Sequence, residues 1–137
     1  MLVKEVMTTD LVTVDTLTVM SKVASIFEEH NFHHIPVIDK EDSSLVGIIS
    51  MMDVALLKDW GTRLNIEYSK ETNEKLFKSL LAKDVMKLNP VCISPEDNID
   101  RCVDILDDNH FHALPVIEND QLVGLITTYD LIRLAYR

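Results

Sequence analysis

Short apolar runs alternate with amphipathic stretches along this chain, and the same order occurs twice. Ile35 to Ile38 and Leu114 to Ile117 are unbroken apolar runs of strand length, each with a proline near its start. Leu45 to Ser50 (LVGIIS) and Leu122 to Thr127 (LVGLIT) are second runs of the same kind. Ahead of each pair lies a helical pattern. Met20, Val23, Ala24 and Phe27 form one face after Thr18, the expected N-cap; Ile99, Val103 and Leu106 form another after Asp97. Brief strands are predicted over Leu11 to Val14 and over Val91 to Ile93, the latter just after Pro90. A second helix is predicted to begin at Asp53 and at Asp130, where an acid complements a helix N-terminus. The proline in each apolar run suits an edge strand. The predicted order is β-α-β-β-α, twice.

The duplication is close in register. Met7 and Met86, like Pro36 and Pro115, are 79 apart (86−7 and 115−36), whereas Gly47 and Gly124, like Asp53 and Asp130, are 77 apart (124−47 and 130−53). The lost residues fall in the polar turn between Asp39 and Leu45. A repeat of this length is one supersecondary unit that buries its open face against its copy. The expected fold is α+β, two pseudo-symmetric repeats packed into one module, with any shared site near the seam. The expected division is repeat 1 at 1–60, a connecting loop and helix at 61–81, and repeat 2 at 82–137. Within the connection, Gly61 is expected to stop the preceding helix, Arg63 to Asn73 to be irregular, and Glu74 to Leu81 to be helical, with Leu76, Phe77, Leu80 and Leu81 on one face.

Composition narrows the function classes. At 137 residues and 47% hydrophobic, the chain has the length of one ordinary domain and an apolar content that fits a soluble one. No apolar run approaches the roughly 20 residues of a membrane span. The N-terminus keeps Glu5 and has no apolar signal core. Cys92 and Cys102 match Thr13 and Val23 in the first copy, so no disulfide staples both repeats. Two reduced thiols and a cytoplasmic location are expected. A net charge of −10 argues against nucleic acid and anionic membranes as partners. There is no G-x-S-x-G, Walker or zincin motif, and three glycines leave no glycine-rich phosphate cradle, so no catalytic residue is assigned and an enzyme is not expected.

The opening Val-Met, the segments FHHIPVID and FHALPVIE, and the endings GIISMMD and GLITTYD carry a resemblance over nearly the whole chain outside the connection. The repeat unit resembles the cystathionine-β-synthase (CBS) domain, and the tandem resembles a stand-alone Bateman module. The resemblance implies a regulatory or energy-sensing role, not catalysis. It implies an adenosine-type ligand, AMP, ADP, ATP or S-adenosylmethionine, in up to two clefts between the copies. It also implies a homodimer, and leaves open an effector protein.

The residues that could bind such a ligand can be named. Thr127 and Asp130, with their counterparts Ser50 and Asp53, set a hydroxyl at a strand end and a carboxylate in the first turn of the next helix. A carboxylate accepts hydrogen bonds from both hydroxyls of a ribose, and the hydroxyl and free N–H groups of the helix start suit phosphate. The same residues could simply cap helices. His33, His34 and His112 are candidates for phosphate contact; a helix C-terminus would equally favour their charge, and that reading is preferred for His30 and His110. Arg133 follows Asp130 by three residues and could reach a phosphate or a partner subunit. Val12, Thr13, Val14, Val91, Cys92, Ile93, Val37, Val116, Ile49 and Ile126 are base-pocket candidates that also read as ordinary core. Metal ligation is the rival use of the histidines, and no metal site is expected. Met51, Met52, Val54, Leu57, Leu131 and Leu134 crowd the second helices more than one buried face requires and are the expected dimer contacts.

Overall fold

The computed structural model describes the backbone of residues 1–64, 69–109 and 111–136 and, apart from 60–64 and 69, their side chains. Residues 65–68 of the connection and His110 lie outside that set. The fold is α+β. The chain divides into two compact units, one of Thr13–Asn89 and one of Met1–Val12 with Pro90–Arg137. Each unit thus joins the body of one repeat to the opening segment of the other.

In the Thr13–Asn89 unit, β1 (Val14–Asp15) lies parallel to β2 (His34–Ile38), β2 is antiparallel to β3 (Leu45–Ser50), and β3 is antiparallel to β4 (Lys87–Leu88). Helix α1 (Met20–Glu29) precedes β2, α2 (Met51–Leu64) follows β3, and α3 (Ser69–Ser79) and the short α4 (Ala82–Val85) lead to β4. The predicted face of α1 is the one that packs: Met20, Val23 and Phe27 join Ile35, Val37 and Ile49 in the core, with Ala24 against it.

The other unit repeats the arrangement with fewer paired residues. Its strands are β5 (Ala113–Glu118) and β6 (Gln121–Thr127), after α5 (Ile99–Asn109) and before α6 (Thr128–Ala135). Ile93 bridges Val116 in parallel, as Val14 pairs Val37, and Thr8 bridges Leu125. Both hairpins shift register at the same place, Val37/Ile38 and Val116/Ile117. The turns account for the length deficit. Asn119 and Asp120 have φ of 52° and 64°, the two left-handed residues of a tight type I′ hairpin loop. The first copy uses a longer loop, in which the Asp39 carboxylate accepts from the Glu41 N–H and Ser43 is left-handed.

The opening segments are held in the same way in both units. The Leu2 N–H donates to Glu5 and the Leu81 N–H to Asp84. The Val3 N–H donates to the Asp97 carbonyl at 2.9 Å, and the Ala82 N–H to that of Thr18 at 2.7 Å. Met7 and Met86 then lie over Gly124 and Gly47. A Cβ on Gly124 would meet Met7 Sδ at 2.5 Å, and one on Gly47 would meet Met86 Sδ and the Lys87 carbonyl at 2.8 Å. Glycine is needed here for close approach.

Several local expectations are corrected. Helix α2 runs through Gly61 to Leu64; one glycine costs a helix only about 1 kcal/mol, too little to stop it alone. The connecting helix begins at Ser69 and ends at Ser79, so 69–73 are helical and Leu80 and Leu81 lie past its end. Val19 occupies the N-cap of α1 without a side-chain bond, while Thr18 accepts from the Asp15 N–H. At α5 the Asn98 side chain caps the Asp100 N–H, and Asp97 accepts instead from Ser94. Cys102 takes the core position beside Ile99 and Leu106, leaving Val103 45% exposed. The first strand is shorter than Leu11 to Val14, and its counterpart is a single bridge at Ile93.

Neither proline is at an open edge: β2 lies between β1 and β3, and β5, paired with β6, also meets the single bridge of Ile93 to Val116. They are tolerated for another reason. The Ile93 N–H donates to the Pro115 carbonyl at 3.0 Å and the Ile117 N–H returns to Ile93 at 2.9 Å, so this pairing begins at the proline carbonyl. Leu125, opposite Pro115, turns its own N–H and carbonyl to Thr8. At Pro115, then, neither of these neighbours needs the missing N–H.

Candidate functional site

The two hydroxyl–carboxylate pairs form reciprocal caps. The Asp53 N–H donates to Ser50 Oγ at 3.1 Å and the Ser50 N–H to Asp53 Oδ2 at 2.8 Å. In the other unit the Asp130 N–H donates to Thr127 Oγ1 at 3.2 Å and the Thr127 N–H to Asp130 Oδ2 at 3.0 Å. Each pair satisfies donors at its helix start, as a capping box does. The helix-cap reading therefore holds for all four residues. It engages Oδ2 of each carboxylate and leaves Oδ1 turned to other partners.

Those partners differ. Asp130 Oδ1 accepts from Arg133 Nη2 at 2.7 Å and from Thr8 Oγ1 at 3.3 Å. Asp130 is 7% exposed, the one buried charged residue among those described. Among the described residues, Asp53 Oδ1 faces Lys87 Nζ at 3.9 Å, an ion-pair distance beyond hydrogen bonding, on a lysine side chain that is 73% exposed. Thr8 and Lys87 are repeat equivalents, 79 apart (87−8), on the residue after each repeated methionine. Sequence reasoning passed over both. The signal was their place in the Val-Met motif; what hid them was that each serves the carboxylate of the other copy.

His33, His34 and His112 are brought to the same ends of the hairpins. His34 pairs with Ser50 across β2 and β3, and Ala113, its counterpart, with Thr127. The His33 carbonyl accepts from the Met51 N–H at 2.8 Å, and the His112 carbonyl from the Thr128 N–H at 3.1 Å. So His33 and His34 flank the start of α2, and His112 that of α6. His30 lies apart, stacked on Phe32 with ring centroids 4.9 Å apart.

The base-pocket candidates divide by burial. Val14, Val37, Ile49, Ile93, Val116 and Ile126 are buried core. Val12, Thr13 and Cys92 are half-buried, and Val91 is exposed. Burial raises the Cys92 thiol, whose Sγ lies 3.2 Å from the Pro90 carbonyl. Burial, with the charge of Asp130 adding, pushes the Cys102 thiol from an ordinary 9.0 up to about 11. Among the described residues no group of three or more His, Cys, Asp or Glu is placed to hold a metal ion. A groove of about 590 Å³ in the Thr13–Asn89 unit, lined by Ala24, Glu28, Lys58, Asn73 and Phe77 among others, includes neither Ser50 nor Asp53. No helix among the described residues is long and apolar enough to cross a membrane.

Comparison with known proteins shows what the chain is similar to. The family model described as the CBS domain matches residues 3–57 and again 82–137. A Methanocaldococcus jannaschii protein, MJ1404, is 33% identical over 133 residues, which span 95% of this chain but 27% of that protein. Among solved structures, CBSX2 in complex with AMP superposes with a TM-score of 0.78 at 24% identity, covering 98% of this chain and 96% of that one. The CBS domain pair of protein MJ0100, in complex with 5′-methylthioadenosine and S-adenosyl-L-methionine, does so at 0.78 and 22%, covering 99% and 96%.

Proposed function

Because the chain belongs to the CBS domain family, we propose that it is a regulatory module that binds an adenosine-type ligand, AMP, ADP, ATP or S-adenosylmethionine, and does no chemistry on it. One observation carries this reading: the hydroxyl–carboxylate pair is built twice, at the head of α2 and of α6, with a histidine-bearing strand end beside it each time. Asp53 and Asp130 are the ribose carboxylates. Ser50 and Thr127, with the helix-start N–H groups, receive phosphate, assisted by His33, His34, His112 and Arg133. For the base, the candidates outside the core are Thr13 in the one unit and, in the other, the half-buried Val12 and Cys92 and the exposed Val91. The AMP complex of CBSX2 and the methylthioadenosine and S-adenosylmethionine complex of the MJ0100 pair support the ligand class. The module works in the cytoplasm, where its two thiols stay reduced, as a homodimer whose ligand state is read by an effector protein.

A second reading has its own support. Met52, Leu56, Tyr129, Ile132 and Tyr136, on or just past α2 and α6, are each more than half exposed. These faces fit a ligand-free dimerisation or protein-interaction module. A thermal-shift screen with AMP, ADP, ATP, S-adenosylmethionine and adenosine separates the two. A ligand at about 100 times its dissociation constant adds about 2.7 kcal/mol of stability. A shift with at least one of them is the expected result; none with any would leave the interaction reading.

A further inference from the structure

The two carboxylates differ in what a ligand must displace. A ribose diol approaching Asp130 needs Oδ1, which Arg133 holds at 2.7 Å. A diol approaching Asp53 meets an Oδ1 whose cation stands 3.9 Å away on an exposed lysine. The residue three places after Asp53, equivalent to Arg133, is Leu56, which is 60% exposed and carries no charge. Breaking the Arg133–Asp130 bond leaves a guanidinium, on a side chain 64% exposed, with only water in place of the carboxylate. A planar guanidinium takes phosphate oxygens as readily as carboxylate ones. A ligand bearing a phosphate gives Arg133 a new acceptor as it takes the old one away. A nucleoside without phosphate offers none.

Resting on the adenosine-binding reading above, we propose that Arg133 is a specificity-determining residue, making a phosphate group a condition of binding at the Thr127–Asp130 site. The Ser50–Asp53 site, with Leu56 in that place, has no such device and discriminates less between a nucleotide and its nucleoside.

The test is calorimetry with AMP and adenosine on the full chain. Asp53→Ala leaves the Thr127–Asp130 site, and Asp130→Ala leaves the other. In the Asp53→Ala background AMP is expected to bind at least about tenfold tighter than adenosine, the order of one charge-assisted hydrogen bond. Adding Arg133→Leu, the residue of the other copy, should tighten adenosine and bring the two affinities together. In the Asp130→Ala background, Leu56→Arg should widen the AMP preference. Leu56 is exposed within its unit, so this variant, with its mass checked by light scattering because the same residue is a candidate dimer contact, decides the matter if Arg133→Leu does not fold. An unchanged AMP-to-adenosine ratio on both exchanges overturns the role of Arg133 while leaving the adenosine reading intact. Absence of binding by either ligand to the unaltered chain overturns the role of Arg133, and the adenosine reading falls with it when ADP, ATP and S-adenosylmethionine fail to bind as well.

Discussion

Asp130 and Asp53 occupy equivalent positions and make equivalent caps, yet their surroundings give them different weight. Asp53→Ala removes a cap and a loose ion pair with a mostly exposed lysine, and should cost about 1 kcal/mol of stability. Asp130→Ala also removes the bonds from Thr8 and Arg133 to a buried carboxylate, and should cost about 2 kcal/mol. Urea denaturation of the two variants measures the difference; equal losses would mean the Thr8 and Arg133 bonds contribute nothing net. Cys102 makes a second prediction. Its folded pKa, about 11, lies above its ordinary 9.0. The folded state therefore keeps its proton where the unfolded thiol has lost it. The contribution to stability is intact below pH 9 and falls as pH rises from about 9 toward 11. A Cys102→Ala variant, whatever its own stability, should lose less over that interval in denaturation series at several pH values. The same burial should make Cys102 slower to alkylate at pH 8 than a free thiol.

At the scale of the element, the opening segments are the decisive parts. Each is held by a few backbone bonds and by a methionine lying over a glycine of a strand. A methyl group there must push the segment away. Gly47→Ala would set its Cβ 2.8 Å from the backbone carbonyl of Lys87, which has little freedom to yield, as well as from Met86. Gly124→Ala meets chiefly the flexible end of Met7. Both should destabilise by about 1–3 kcal/mol, the usual range for overpacking, with Gly47→Ala the worse. Met7→Ala combined with Gly124→Ala should recover part of the loss, because the added methyl then has room. A double variant no more stable than the sum of the two singles would show that the Met7 contact is not the obstacle. Most helices and strands could be read from apolar spacing. Gly61 misled because helix continuation is a matter of about 1 kcal/mol, and the caps misled because Thr18, Asp97 and Asn98 are all capable acceptors whose use depends on the turn before the helix.

For the whole molecule, the exposed apolar residues of α2 and α6 predict self-association. Val54, Leu57 and Leu131 pack into or against the cores of their own units, which removes them as contacts; Met51, Met52 and Leu134 remain exposed, joined by Leu56, Tyr129 and Ile132. Light scattering at micromolar concentration should give a dimer mass, and Leu56→Glu with Ile132→Glu should reduce it to that of one chain. A one-chain mass for the unaltered protein would refute the homodimer.

The amino-acid sequence by itself determined the repeat, the α+β class, the family resemblance, and the pairing of Ser50 with Asp53 and Thr127 with Asp130, because each is a short-range pattern written twice. It also marked the histidines that reach the same strand ends. Tertiary structure alone decided that the opening segment of each copy lies on the hairpin of the other. Backbone bridges such as Thr8 to Leu125 and Gly47 to Leu88 are made by groups every residue carries, so no side-chain pattern announces them. From that exchange follow the contacts of Thr8 with Asp130 and of Lys87 with Asp53. Two carboxylates that read alike along the chain are thereby set in different electrostatic company.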